Sequence, residues 1–219
     1  MTSNVLLLLF ALAFVPGALA AQEPTELDSL VQKFLDEHRN SWRDANVPMS
    51  DGQALYDIIV EKGYTKALEI GTSTGHSAIW IAWALSKTGG KLITIEIDEG
   101  RHQQAMRNFQ EAGLSDYIDA RLADAHELVP ALPGPFDFVF MDADKDWYSQ
   151  YFRDALPKLE VGGCFTAHNV SDRSSNTRRR RGGMRGTDEF VQLLKSTPNL
   201  DTRFITSGGG LSVSYKQGS

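Results

Sequence analysis

A single cysteine among 219 residues, Cys164, excludes an internal disulfide framework and a multi-cysteine zinc site. It stands in an apolar run, the setting of an inert core thiol. Positive charge is also scarce. Twenty-two Lys and Arg face 28 Asp and Glu, a net −6, which disfavours nucleic acid as a partner. No apolar run is long enough for a comfortable membrane span, and no internal repeat is visible. What is present, 42% hydrophobic and 23% charged residues, suits one globular domain with a real core.

An apolar run, Val5 to Val15, is broken by Pro16-Gly17. Ala18-Leu19-Ala20 then places small residues for cleavage before Ala21, the pattern of a secretory signal peptide, although no Lys or Arg precedes the run. The expectation is a signal over residues 1–20, a domain over 21–219, and export to the periplasm or beyond. An uncleaved membrane anchor is the alternative.

From Leu27 to His38, apolar residues recur at helical spacing. Asn46-Val47-Pro48 ends that helix, Ser50 or Asp51 can cap the next, and Gly63 closes it. Strands are expected over Ala67–Ile70, Lys91–Glu96, Ile118–Leu122, Phe136–Met141 and Cys164–His168, the last following a Gly162-Gly163 turn. Helices are expected from His76, over Arg101–Ala112 with Ala105, Met106 and Phe109 inward, over Ala125–Leu132, over Trp147–Leu156 and over Thr187–Leu194. A hairpin of Asp201–Ile205 and Leu211–Tyr215 ends the chain. Such alternation predicts an α/β fold: a mostly parallel, seven-stranded, Rossmann-like sheet with helices on both faces and a C-terminal antiparallel hairpin.

In such a sheet, ligands bind beyond the carboxyl ends of the strands. Those ends carry Glu69-Ile70-Gly71, Glu96-Ile97-Asp98, Asp124-Ala125, Asp142-Ala143-Asp144-Lys145 and His168-Asn169. Glu96 is placed to accept from two ribose hydroxyls, a position also used by dinucleotide enzymes. The turn GTSTGH has no third glycine, and the adjacent Glu69 would repel a pyrophosphate but suit a ligand carrying an ammonium and a sulfonium, such as S-adenosylmethionine. A plain solvated acid is the alternative for Glu69.

With LEIGTSTGHSAIW, ITIEID, ADA and FVFMDADKDWYSQY in view, the chain from Val47 to Tyr215 resembles the small, cation-dependent O-methyltransferases, the group that includes the catechol and caffeoyl-CoA enzymes. The resemblance implies S-adenosylmethionine held by Glu69, Gly71, Thr72 and Ser77 at its methionine part, Glu96 at the ribose and Asp124 and Ala125 at the adenine. Asp144 would lie nearby, and Val47 would line the pocket. It also implies a small catechol or phenolic acceptor, with a homodimer as an open arrangement. Asp51 is similar to the acid of the family's acidic-Gly-Gln helix start, but shorter than the usual Glu.

The resemblance places a divalent cation (Mg²⁺, Mn²⁺ or Ca²⁺) on Asp142, the residue at 168 and Asn169, and assigns Lys145 as general base. His168 stands where the family has Asp. Three readings stay open: a metal with altered preference, a metal-free site with His168 as base or hydrogen-bond partner, or a dead site. For Lys145 the plain alternative is an ion pair with Asp144 or Asp146. Arg178 to Arg181, with Arg185, is either a solvated loop or a lid over the acceptor. Trp147 can wall the acceptor site, and Tyr148 packs in the core. A non-catalytic binding protein on the same fold is the competing function, and a dinucleotide oxidoreductase a third.

Overall fold

The computed structural model describes residues 23–42, 46–172 and 186–218. The expectations for the N-terminal segment and for the Arg178–Arg185 loop lie outside them. The chain opens with α1 (Glu26–Glu37), set by a capping box in which the Thr25 side chain accepts from the Asp28 amide and Asp28 accepts from the Thr25 amide. Asp28 Oδ1 also accepts from Trp83 Nε1 at 2.6 Å and pairs with Lys87. Burial would raise this carboxyl, but the Lys87, Trp83 and Thr25 contacts outweigh it and hold it well below its usual range.

Helix α2 (Met49–Lys62) begins directly after Pro48 and has no side-chain cap, so neither Ser50 nor Asp51 caps it. Asp51 is inside the first turn, 1% exposed, and faces inward. β1 (Lys66–Ile70), α3 (His76–Thr88), β2 (Lys91–Glu96), α4 (Glu99–Glu111), β3 (Ile118–Leu122), α5 (Ala125–Ala131) and β4 (Phe136–Met141) follow. On α4, Ala105 and Phe109 are buried, but Met106 points outward at 43% exposure. Asn108 takes the inner place beside them, because residues three and four apart share a face.

After a 3₁₀ turn over Lys145–Trp147 come α6 (Tyr148–Ala155), β5 (Leu159–His168), α7 (Gly186–Ser196), β6 (Leu200–Ile205) and β7 (Leu211–Lys216). β5 starts earlier than the glycine pair suggests. Gly162-Gly163 lies within it, where the pairing with β4 shifts register between Phe136 and Phe138. Glycine in a strand often marks such an irregularity rather than its end.

The seven strands are ordered β3-β2-β1-β4-β5-β7-β6, the first five parallel and β7 antiparallel to both its neighbours. Alternate residues feed two cores. Ala67, Phe138, Phe140 and Cys164 pack with α1, α2 and α3 on one face, while Leu68, Ile70, Val139, Met141 and Phe165 pack with α6 and α7 on the other. Chain direction across the sheet reverses between β1 and β4. That switch point opens a crevice at their carboxyl ends. Among the described residues no helix is long and apolar enough to cross a membrane.

Candidate active site

Glu69 faces the same core as Ala67, an acid where the period-two pattern calls for an apolar side chain. It is fully buried. Thr94, its register partner on β2, donates to Glu69 Oε2 at 2.5 Å and shares a second short contact with Thr72. Burial pushes the Glu69 carboxyl up to about 8, the hydroxyls of Ser77 and Thr94 only partly offsetting it, with Asp142 and Glu96 adding repulsion. Its Oε1 is buried without a hydrogen-bond partner, as is Ser73 Oγ.

Between β1 and α3 the turn is tied to β2. The Gly71 and Thr72 amides both donate to Ile95 O at 3.1 Å, and the Ser73 amide donates to Glu96 Oε2 at 2.7 Å. Glu96 Oε1 accepts from the Ile97 and Asp98 amides at 3.1 and 2.9 Å. Three turn amides that could cradle a phosphate are therefore engaged. What remains is acceptor oxygen, which fits a cationic, hydroxyl-bearing ligand and not a pyrophosphate. Val47 is buried, and its carbonyl accepts from His76 Nδ1 at 2.8 Å, which pins the preceding segment to the start of α3. Burial keeps His76 neutral, its pKa lowered to about 4 despite that hydrogen bond.

Further along the rim, Asp124 caps α5 through the His126 amide at 2.9 Å, and Ala125 follows it. Asp144 accepts from Tyr151 OH at 2.9 Å and lies 3.4 Å from His126 Nε2. Trp147 stacks on His126, with ring centroids 3.8 Å apart. It therefore belongs to this Asp124–Asp144 side.

At the end of β5, His168 Nδ1 is 2.9 Å from Asp142 Oδ2 and Nε2 is 3.0 Å from Asp51 Oδ2. Asp51 Oδ2 also accepts from the Gly209 amide at 2.8 Å. Lys145 pairs with Asp142 Oδ1 and donates to Tyr148 OH at 2.6 Å, and Tyr148 OH donates to the His168 carbonyl at 3.2 Å. The partner of Lys145 is thus Asp142, not Asp144 or Asp146. Burial alone would raise the Asp142 carboxyl, but the His168 hydrogen bond and the Lys145 ammonium hold it below its ordinary value. Asn169 follows His168 in a left-handed backbone, φ 56°.

Asp142 and His168 are brought together, as expected for a metal set, with Asn169 next in the chain, but the donors of Asp142 and His168 do not fit one. Both ring nitrogens of His168 face carboxylates. Among the described residues no group of three or more His, Cys, Asp or Glu side chains is placed to hold a metal ion.

Residues 18–217 match the family model described as O-methyltransferase. The chain belongs to the O-methyltransferase family. A catechol O-methyltransferase of Niastella koreensis is 42% identical over 107 residues, covering 47% of this chain and 48% of that one. Caffeoyl-CoA O-methyltransferase 1 of Eucalyptus globulus is 31% identical over 137 residues, covering 60% and 55%. The matches thus span about half the length of these curated relatives. Two O-methyltransferase structures superpose widely. That of Bacillus cereus in complex with SAH has a TM-score of 0.70, 26% identity, and coverage of 87% and 91%. TomG of Streptomyces achromogenes, involved in tomaymycin synthesis and in complex with SAM, has a TM-score of 0.70, 26% identity, and coverage of 91% and 93%.

Three side chains of this O-methyltransferase fold's site were not foreseen. Thr94 was legible as the one hydroxyl in the apolar strand KLITIE, in register with Glu69. Asp51 gave no signal for His168, which is 117 positions away. Tyr148 is buried as expected, but its hydroxyl is part of the site.

Proposed function

We propose that this protein transfers the methyl of S-adenosylmethionine to a hydroxyl of a small catechol or phenolic acceptor. The observation that carries it is the placement, across the β1/β4 switch point, of the acids Glu69 and Glu96 beside the Lys145–Asp142 pair. Family membership and the names of the relatives support it. S-adenosylmethionine, when bound, supplies an electrophilic methyl on a sulfonium. Glu69 holds its ammonium end, with Gly71, Thr72 and Ser77 around it, and Glu96 accepts from the ribose hydroxyls. Asp124, Ala125 and Asp144 flank the adenine, and Val47 closes the pocket. Lys145 takes the acceptor's proton, in the form in which Nζ has first released its own proton to solvent. His168 cannot, because it has no free nitrogen and is shut from solvent. Alignment for in-line attack supplies much of the rate. A binding protein without transferase activity would leave the Lys145–Asp142 pair idle. Methyl transfer to a catechol panel, followed by mass spectrometry, is the test; no product with any member rejects the proposal.

The raised Glu69 pKa yields a pH prediction. A carboxyl whose folded pKa is about 8 against an ordinary 4.5 is protonated at neutral pH. Its contribution to stability is complete below 4.5 and is lost as pH rises through 8. An ammonium arriving at Glu69 favours the ionised form, so S-adenosylhomocysteine binding at pH 7 is expected to release close to one proton. Calorimetry in buffers of differing ionisation enthalpy measures this. A slope of zero, or one unchanged in Glu69→Gln, rules it out.

We infer in addition that residues 1–20 are a cleaved export signal. The family match begins only at residue 18, which supports treating the apolar run as separate. The mature chain from the exported fraction should begin at Ala21 by mass spectrometry; an intact Met1 there overturns the inference.

A further inference from the structure

At the acceptor rim the side chains already engage one another. Asp51 and Asp142 bring two carboxylates, with side chains 1% and 11% exposed. Lys145 brings one ammonium, bound to Asp142. His168 lies between the carboxylates, with Nδ1 against Asp142 Oδ2 and Nε2 against Asp51 Oδ2. Tyr148 and the Gly209 amide complete the shell, and neither adds charge.

A divalent ion at this place needs oxygen or nitrogen donors with free lone pairs, about 2.0–2.6 Å away. Asp142 Oδ2 and both nitrogens of His168 are instead engaged with one another and with Asp51. The imidazole also does mechanically what a bound ion would do: it ties the end of β5 to the end of β4 and to the first turn of α2.

We propose that His168, gripped between Asp51 and Asp142, takes the place of the divalent cation, so that methyl transfer by this chain needs no added metal. His168 is then a positioning residue. It fixes Asp142, which in turn holds Lys145 toward the acceptor. This rests on the transferase reading above, and its test is arranged so that the two fail separately.

Chelator-treated wild-type protein and His168→Asp are titrated with Mg²⁺ and with Mn²⁺ in a calorimeter, with S-adenosylhomocysteine present. Wild type is expected to bind neither ion below millimolar concentration. His168→Asp, which restores a carboxylate between Asp142 and Asn169, is expected to bind at least one of them ten-fold or more tighter. Binding by wild type that disappears in Asp142→Asn overturns the proposal. Methyl transfer by wild type is expected to be unchanged by EDTA, and that of His168→Asp to require the ion. A ten-fold loss in wild type on chelation, restored by one ion, also overturns it. Should His168→Asp fail to fold, the wild-type measurements decide: no binding of either ion below millimolar concentration together with transfer unchanged by EDTA supports the clamp, and ion binding that disappears in Asp142→Asn refutes it. Absence of transfer under every condition rejects the transferase reading, and the calorimetry still decides the clamp.

Discussion

Lys145→Met is expected to lower kcat by about 10²- to 10⁴-fold, the range for a positioned proton acceptor. The affinity for S-adenosylhomocysteine should move less than about three-fold, because the oxygens of Glu69 and Glu96 lie on the other side of the switch point. Methionine keeps the length and apolar stem of lysine while removing Nζ, so the loss reports chemistry and not packing. Asp142 loses an ion pair but keeps His168, which preserves the local structure. Lys145→Arg is expected not to rescue, since a guanidinium stays protonated. Single-turnover methyl transfer and parallel calorimetry measure the two quantities. A kcat within ten-fold of wild type would remove Lys145 from the chemistry and leave Asp142 as the remaining proton acceptor on the rim.

The second large effect lies at Gly71. Its backbone is left-handed, φ 95°, and a Cβ built there would sit 2.5 Å from the carbonyl oxygen of Asp142 and 3.2 Å from Ala143 Cα. These are backbone atoms and cannot swing aside. The adjoining strand ends are fixed to each other by the Asp142 amide donating to Ile70 O at 2.9 Å. Gly71→Val therefore combines a disfavoured dihedral with a backbone clash, together costing on the order of 3–5 kcal/mol. For a chain of this size that lowers Tm by about 10 °C. Gly63→Ala is the control. Gly63 is also left-handed, φ 69°, but nothing lies within 4 Å of its Cβ position, so its cost is the backbone term alone, about 1 kcal/mol. Thermal unfolding of both variants separates the contributions. Equal shifts would show that the clash at Asp142 is relieved by movement of the strand ends.

Much of the scaffold was legible because its signals are local. Short apolar runs in KALEI, KLITIE and FDFVFM mark strands buried on both faces, and helix ends such as Gly63 and Gly89 show as left-handed caps. Signals misled where tertiary context overrode them. Gly162-Gly163 reads as a turn yet lies within β5. Met106 has an apolar side chain, but its place on α4 looks outward. Asp51 has the composition of a cap and the position of a buried partner. The cofactor side was readable because Glu69 and Glu96 mark strand ends directly. The acceptor side was not, because what His168 does depends on Asp51 and Gly209, and no local pattern announces a contact between residues so far apart.

That separation sets an order of assembly. The ties of the cofactor side are short in sequence: Thr94 to Glu69 spans 25 residues and Ser73 to Glu96 spans 23. The ties of the acceptor side span 117 residues from Asp51 to His168 and 158 from Asp51 to Gly209. Closing the longer loops costs about 1.5 kcal/mol more in chain entropy, and the tie to Gly209 closes only when the last hairpin has docked on β5. The terminal strands β7 and β6 lie at one end of the sheet, where local opening needs the least disruption. A chain whose last hairpin has opened thus keeps the oxygens that grip the methyl donor but loses the Gly209 amide and the enclosure that keep Asp51 against His168. The two halves of the reaction are thereby given different lifetimes within one domain, and the capacity to hold the donor outlasts the capacity to use it.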